Sequence, residues 1–162
     1  LTITLTRVGW TDPRAEALRA DMDVEMTSLY SSRTQAQGSE TGDLITAVLA
    51  VDATDIITSV LAVDENGVAI GHAGLRLLAN GKAEVRKVVV DPSARGRGVS
   101  KLLMAEIEVV ARENELLDLV LQTGNLQVAA VALYEKLGYQ AIALYGGYEV
   151  IPGALCYEKV LS

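Results

Sequence analysis

The chain predicts an α+β fold, a mixed and mostly antiparallel sheet flanked by helices, and three observations carry that expectation. Two Asn-Gly turns, Asn66-Gly67 and Asn80-Gly81, separate runs rich in β-branched residues, and Asn-Gly is the strongest short-range hairpin signal. The apolar run Val88-Val89-Val90 leads into the glycine-punctuated turn Asp91-Pro92-Ser93-Ala94-Arg95-Gly96-Arg97-Gly98, and apolar residues at helical spacing follow it. Gln127 to Leu137 is a second helical stretch that stops at Gly138, the residue type that takes the left-handed position past a helix end most readily.

In chain order, Leu1 to Val8 alternates as a strand does, with Trp10 packing at its end. Asp12-Pro13 opens a helix as cap and first-turn proline. It is expected to run to about Tyr30, with Ala17, Leu18, Met22, Met26 and Leu29 inward and Arg14, Glu16, Arg19, Asp23 and Glu25 mostly outward. Ser31 to Gly42 is polar and reads as a mobile loop, and Asp43 to Val51 is ambiguous between a short helix and a strand. Ile56 to Val63, Val68 to Leu78 and Ala83 to Val90 form a three-stranded meander. After the glycine turn, Val99, Leu102, Leu103, Ile107 and Val110 mark the inner side of a helix. Leu116 to Leu121 is a short apolar strand, and strands near Ala141 to Leu144 and Leu155 to Leu161 finish the chain.

A length of 162 residues, 50% of them hydrophobic, suits one domain over residues 1–162 with a substantial core, and no internal repeat or linker divides it. The net charge of −7 argues against nucleic-acid and anionic-membrane partners. No apolar run reaches about 18 residues, and the first residues alternate instead of forming a basic and apolar leader. The lone Cys156 excludes an internal disulfide and suits a reducing cytoplasm. His72 has no cysteine or carboxylate partner at metal-ligand spacing, so it reads as a strand residue and no metal is expected. A homodimer stays open.

The glycine turn has the chemistry of an anion site. Gly96 and Gly98 allow backbone conformations that let several N–H groups converge where a helix N-terminus adds its partial positive charge. The cations Arg86, Lys87, Arg95, Arg97 and Lys101 cluster around it against the charge of the whole chain. A Walker A loop is absent, and Lys101 stands where a dinucleotide fingerprint needs its third glycine. Arg95, Gly98 and Ser100 instead fill the pattern Arg/Gln-x-x-Gly-x-Gly/Ala, with serine at its last position. Upstream, Glu84, Val88, Val90 and Pro92 fill Glu-x-x-x-hydrophobic-x-Val-x-Pro. Downstream, Gln127, Ala130, Leu133, Tyr134, Gly138 and Tyr139 fill Asn-x-x-Ala-x-x-Leu-Tyr-x-x-x-Gly-Phe/Tyr, with glutamine for asparagine.

These three motifs resemble those of the GNAT N-acetyltransferase superfamily, strongly from Ala83 to Tyr139 and only in outline before it. Leu121-Gln122-Thr123-Gly124 and Leu155-Cys156-Tyr157-Glu158-Lys159 look like a bacterial branch of small-molecule acetyltransferases. The resemblance implies the GNAT acyl-CoA N-acyltransferase fold, acetyl-CoA as cosubstrate without a metal, and direct transfer to the amine of a small molecule or peptide. By the same resemblance Arg95, Gly96, Arg97, Gly98, Ser100 and Lys101 surround the pyrophosphate, Gln127 and Ala130 line the cofactor, and the Tyr134 hydroxyl points at the CoA sulfur.

The residues themselves add a proton path. An amine of pKa about 10.4 must lose a proton before it attacks, and Glu84, on the strand that enters the turn, is the candidate general base. Alternation would place Glu84, Arg86, Val88 and Val90 on one face. Tyr134 is the candidate acid for the departing thiolate, the N–H of Val88 or its neighbour the donor to the thioester oxygen, and the Val90 main chain the contact for the pantetheine arm. Tyr145 and Tyr148, flanking Gly146-Gly147, are candidates for a substrate wall. A catalytically silent acyl-CoA-binding or sensing domain is the alternative reading, and a different nucleotide enzyme a weaker one.

Overall fold

The computed structural model describes residues 2–162, so Leu1 of the expected first strand lies outside the described residues. Among the described residues seven strands form one sheet: β1 (Thr4–Val8), β2 (Ile56–Val63), β3 (Ala69–Leu77), β4 (Ala83–Val90), β5 (Asp118–Gly124), β6 (Gln140–Ile142) and β7 (Ala154–Val160). Their spatial order is β1-β2-β3-β4-β5-β7-β6, with every neighbouring pair antiparallel except β4 and β5. The β2–β3 and β3–β4 turns close on the two Asn-Gly pairs. Asp64 accepts from the N–H groups of Asn66 and Val68, Asn80 accepts from that of Lys82, and Gly67 and Gly81 take φ values of 79° and 85°.

Helices cover both faces. The helix α3 (Val99–Glu113) crosses over between β4 and β5 and buries Val99, Leu103, Ile107 and Val110 against Val60, Leu75, Val85 and Leu121. Tyr134 and Leu133 of α4 (Val128–Lys136) join the same core. On the opposite face α1 (Pro13–Leu29) packs Ala15 and Leu18 against Leu61 and Val89.

The first half departs from the sequence expectation at Ser31 to Gly42 and on one face of α1. Ser31 to Gly42 is not a loop, and of the two alternatives for Asp43 to Val51 the helix is the one adopted; both segments fall largely in α2 (Ser31–Leu49), which is interrupted at Gly38 (φ 79°). Tertiary bonds hold this polar segment helical. Arg33 donates to Asn125 Oδ1 at 2.9 Å and to the Pro152 carbonyl at 3.2 Å, while Val48 and Leu49 pack beside Tyr148 and Ile151. In α1, Ala17 faces solvent and Arg19 is buried instead. The Arg19 guanidinium lies 3.7 Å from the Trp10 ring centre and donates to the Trp10 carbonyl, so a cation–π stack takes the place of an aliphatic contact.

A bulge interrupts β4. His72 pairs with Val89 and Gly74 with Arg86, so Lys87 and Val88 stand opposite Ala73 alone. Lys87 adopts φ 54°, left-handed for a residue with a side chain, at a cost of about 1–3 kcal/mol. The fully buried His72 holds it there, its Nδ1–H donating to the Lys87 carbonyl at 2.7 Å. The extra residue also reverses alternation. Ala83 and Val85 face the α3 side, and after the bulge Val88 and Val90 face it too, whereas Val89 meets α1. Glu84 and Arg86 therefore do not share a face with Val88 and Val90, contrary to simple alternation.

His72 also makes stability depend on pH. Burial, with Arg19 and Lys87 nearby, lowers its pKa from 6.5 to about 4. Between those values the unfolded chain binds the proton and the folded chain does not, so stability falls as pH drops from 6.5 to about 4 and is flat above. Urea denaturation across that window is expected to show a loss on the order of 3 kcal/mol relative to His72→Asn, which keeps a donor near Nδ1 but does not titrate.

Candidate active site

β4 and β5 are paired only where Ala83–Val85 face Leu119–Leu121. Beyond that point the strands diverge, and a cavity of about 1080 Å³ opens between them. Val88, Val89 and Val90 form one wall, Gln122, Thr123 and Gly124 the other, with Met22 and Met26 of α1 and Ile45 and Leu49 of α2 across the mouth. Parallel strands that lose their ladder leave backbone N–H and C=O groups for a ligand to satisfy.

The glycine turn closes one end. Gly96 and Gly98 have φ values of 80° and 78°, and Gly98 caps α3. The first bond of α3 runs from the Leu102 N–H to the Gly98 carbonyl, which leaves the N–H groups of Val99, Ser100 and Lys101 without a helical acceptor. Arg95 lines the cavity beside them, its Nε–H donating to the Val90 carbonyl and its Nη2 meeting Glu25 of α1 at 2.6 Å. Gln127, Ala130 and Tyr134 line the far side along α4. The fold thus gathers Val88, Val90, Arg95, Gly96, Gly98, Ser100, Gln127, Ala130 and Tyr134 on one cavity. Arg97 and Lys101 are exposed and outside its wall. Burial raises the Tyr134 hydroxyl pKa well above its ordinary value, so the group stays protonated.

Glu84 occupies a different place. It is 0% exposed and absent from the wall of the large cavity. Its Oε1 accepts from Arg76 at 2.7 Å and Arg86 at 3.2 Å, and its Oε2 from the hydroxyls of Tyr145 at 2.6 Å and Tyr148 at 3.0 Å. A separate cavity of about 290 Å³ opens beside Arg76, Glu84, Tyr145 and Tyr148. The glycine-rich aromatic loop thus walls this carboxylate. Burial and the charge of Glu84 raise the pKa of Tyr148 to about 12 and that of Tyr145 further, so both hydroxyls remain donors.

A family model described as acetyltransferase (GNAT) family matches residues 24–139, from within α1 to the residue after Gly138. The chain belongs to the GNAT acetyltransferase family. An IAA acetyltransferase from Azospirillum brasilense is 34% identical over 97 residues, covering 59% of this chain and 63% of that relative, so the chain spans less than two thirds of its length. A structure from Klebsiella pneumoniae, described as an acyl-CoA N-acyltransferase, superposes with a TM-score of 0.80 at 27% identity over 99% of both chains. One from Bacillus anthracis, described as a streptothricin acetyltransferase and solved with acetyl coenzyme A, superposes with a TM-score of 0.58 at 26% identity over 65% of this chain and 62% of that one.

Within this GNAT fold the helical part of the cavity wall was not foreseen residue by residue, although the segment from Ser31 to Gly42 was expected to bear on specificity. Arg33, Ile45, Thr46 and Leu49 line the cavity because α2 is a helix, and nothing local in that polar segment announces it. Arg86 carried a readable signal, a cation inside an apolar strand two residues from a carboxylate. The pairing of Glu25 with Arg95 had none. Among the described residues no His/Cys/Asp/Glu group is arranged to hold a metal, and no helix is long and apolar enough to cross a membrane.

The Glu84 cluster yields a stability prediction. Glu84→Gln leaves Arg76 and Arg86 without their carboxylate, and breaking a buried pair from one side costs about 3–5 kcal/mol. Denaturant unfolding at neutral pH is expected to show a loss of that order; a loss under about 1 kcal/mol would mark the network as energetically idle.

Proposed function

We propose that this GNAT-family chain transfers the acetyl group of acetyl-CoA directly to the amine of a small molecule or peptide, within a ternary complex. The observation that carries this reading is the divergence of β4 and β5 into a cavity with unpaired helix N–H groups at one end and the protonated Tyr134 hydroxyl on its wall. The N–H groups of Val99, Ser100 and Lys101, with Arg95, Gly96 and Gly98, suit a pyrophosphate. The main chain of Val90 and the side chains of Gln127 and Ala130 suit the pantetheine arm. Arg97 and Lys101 contribute long-range attraction from outside the wall.

In the proposed reaction the neutral amine attacks the thioester carbonyl carbon, and the N–H of Val88 in the bulge donates to the oxygen as it becomes an oxyanion. The C–S bond then breaks with Tyr134 donating a hydrogen bond to the leaving thiolate, and the proton lost by the amine ends on sulfur. Glu84 enters as the anchor of Arg86 and not as a direct base, since both of its oxygens are occupied and the large cavity does not reach it. That sequestration also favours a second reading, a silent acyl-CoA-binding domain, which an amine panel with acetyl-CoA would reveal by an absence of turnover despite binding. Both readings treat residues 1–162 as one domain in a reducing cytoplasm.

Gly98→Val is expected to abolish the rise in Tm that acetyl-CoA produces, because the turn needs a left-handed residue there; unchanged affinity by calorimetry would move the phosphate site elsewhere. Tyr134→Phe is expected to lower kcat by ~10–10²-fold with acetyl-CoA affinity retained, as for a group that acts on the leaving sulfur. Cys156 is buried, burial raises its thiol pKa, and direct transfer has no use for it. Cys156→Ala should keep most activity with intersecting initial-rate lines, whereas parallel lines and an acetylated Cys156 would establish a covalent route.

A further inference from the structure

The large cavity is cationic in a chain whose net charge is −7. Its charged wall consists, among the described residues, of Arg33, Arg86, Lys87 and Arg95 against Asp23 and Glu25. Two of these cations are matched in place: Lys87 meets Asp23 at 3.3 Å and Arg95 meets Glu25 at 2.6 Å. The excess is Arg86 and Arg33, and neither belongs to the phosphate turn. Arg86 lies in mid β4 and Arg33 in the first turn of α2.

Neither guanidinium is neutralised by a carboxylate of its own. Arg86 is 6% exposed and shares Glu84 with Arg76, so this buried cluster holds two cations and one carboxylate. Its Nη1 donates to Glu84 and to the Tyr148 hydroxyl, and its Nη2 to the Leu49 carbonyl at 2.8 Å. The Nε–H and one Nη2 hydrogen have no acceptor among the described residues. Among the described residues Arg33 reaches only neutral acceptors, Asn125 Oδ1 and the Pro152 carbonyl. For the buried Arg86 an excess charge is costly until an anion meets it, whereas Arg33 is half-buried, and guanidinium is the side chain best shaped to receive a carboxylate. Met26, Ile45 and Leu49 on the same wall offer an apolar surface to the rest of the acceptor.

We propose that the acceptor is an amine that also carries a carboxylate, attached to an apolar body, and that Arg86 and Arg33 hold that carboxylate. This rests on the acetyltransferase reading and narrows it. A free amino acid with an apolar side chain has the required chemistry.

The test pairs leucine, methionine and phenylalanine with their carboxamides as acceptors for acetyl-CoA. The parent protein is expected to favour each acid over its amide by ~10-fold or more in kcat/KM, as for a charge-assisted hydrogen bond. Arg33→Gln is expected to bring that ratio towards one through KM, with the acetyl-CoA affinity measured by calorimetry unchanged. Arg86→Gln should do the same; because Arg86 touches the buried cluster and Arg33 helps to hold α2, each variant is also required to keep the acetyl-CoA-induced rise in Tm, which separates loss of the subsite from loss of the fold. Amides acetylated as well as the acids, or a ratio that survives Arg33→Gln, would overturn the carboxylate subsite and leave the acetyltransferase reading standing. Acetylation of no amine, in a protein that still binds acetyl-CoA, would overturn that reading and the subsite with it.

Discussion

A hydrogen bond of 2.7 Å from Nδ1 of the fully buried His72 to the Lys87 carbonyl holds a left-handed residue in the middle of β4. The strand could relax its backbone by realigning with β3, but doing so would strand the fully buried imidazole without its acceptor. The surrounding packing narrows the choice further. Trp10 stacks edge-on to His72, Arg19 lies over Trp10, and a Cβ at Gly74 would come within 2.9 Å of the indole. The consequences reach both faces of the sheet: Glu84 and Arg86 point one way, Val88 and Val90 the other, and β4 leaves β5 within a few residues of the bulge.

The second constraint is ionic. Glu84 draws Arg76, Arg86, Tyr145 and Tyr148 onto one buried carboxylate, and Arg86 in turn donates to the carbonyl at the end of α2. This chain of contacts ties the sheet centre, the aromatic loop before β7 and the helix over the cavity mouth. Its charges do not cancel. A strand that must carry an arginine for the anchor therefore also presents that arginine to the cavity wall.

The sheet between β2 and β7 and the glycine turn were legible because their signals are local. Asn-Gly fixes a hairpin by backbone geometry alone, and a glycine pair before a helix fixes both a left-handed turn and a set of free N–H groups. The segment 31–42 was not legible as a helix, and 43–49 was legible only as helix or strand. Its sequence is polar and glycine-punctuated, and it is helical because Arg33 bonds to residues more than ninety positions away and Val48 and Leu49 find Tyr148 and Ile151. Alternation failed in β4 for a related reason: the extra residue is held by a histidine on another strand.

By itself the sequence determined the fold class, the strand–turn–helix that can hold a pyrophosphate, and the motif positions of Arg95, Gly98, Gln127 and Tyr134, because each follows from residue spacing along a single stretch of chain. Only the tertiary structure decided which polar groups face the cavity. Glu84 and Arg86 are two residues apart on one strand and look equally available in sequence, yet the first is enclosed by four donors from three elements while the second reaches the cavity wall. Access of that kind is set by what packs over a side chain, and the residues that pack over these two come from β3, α2 and the loop before β7, whose meeting no local pattern encodes.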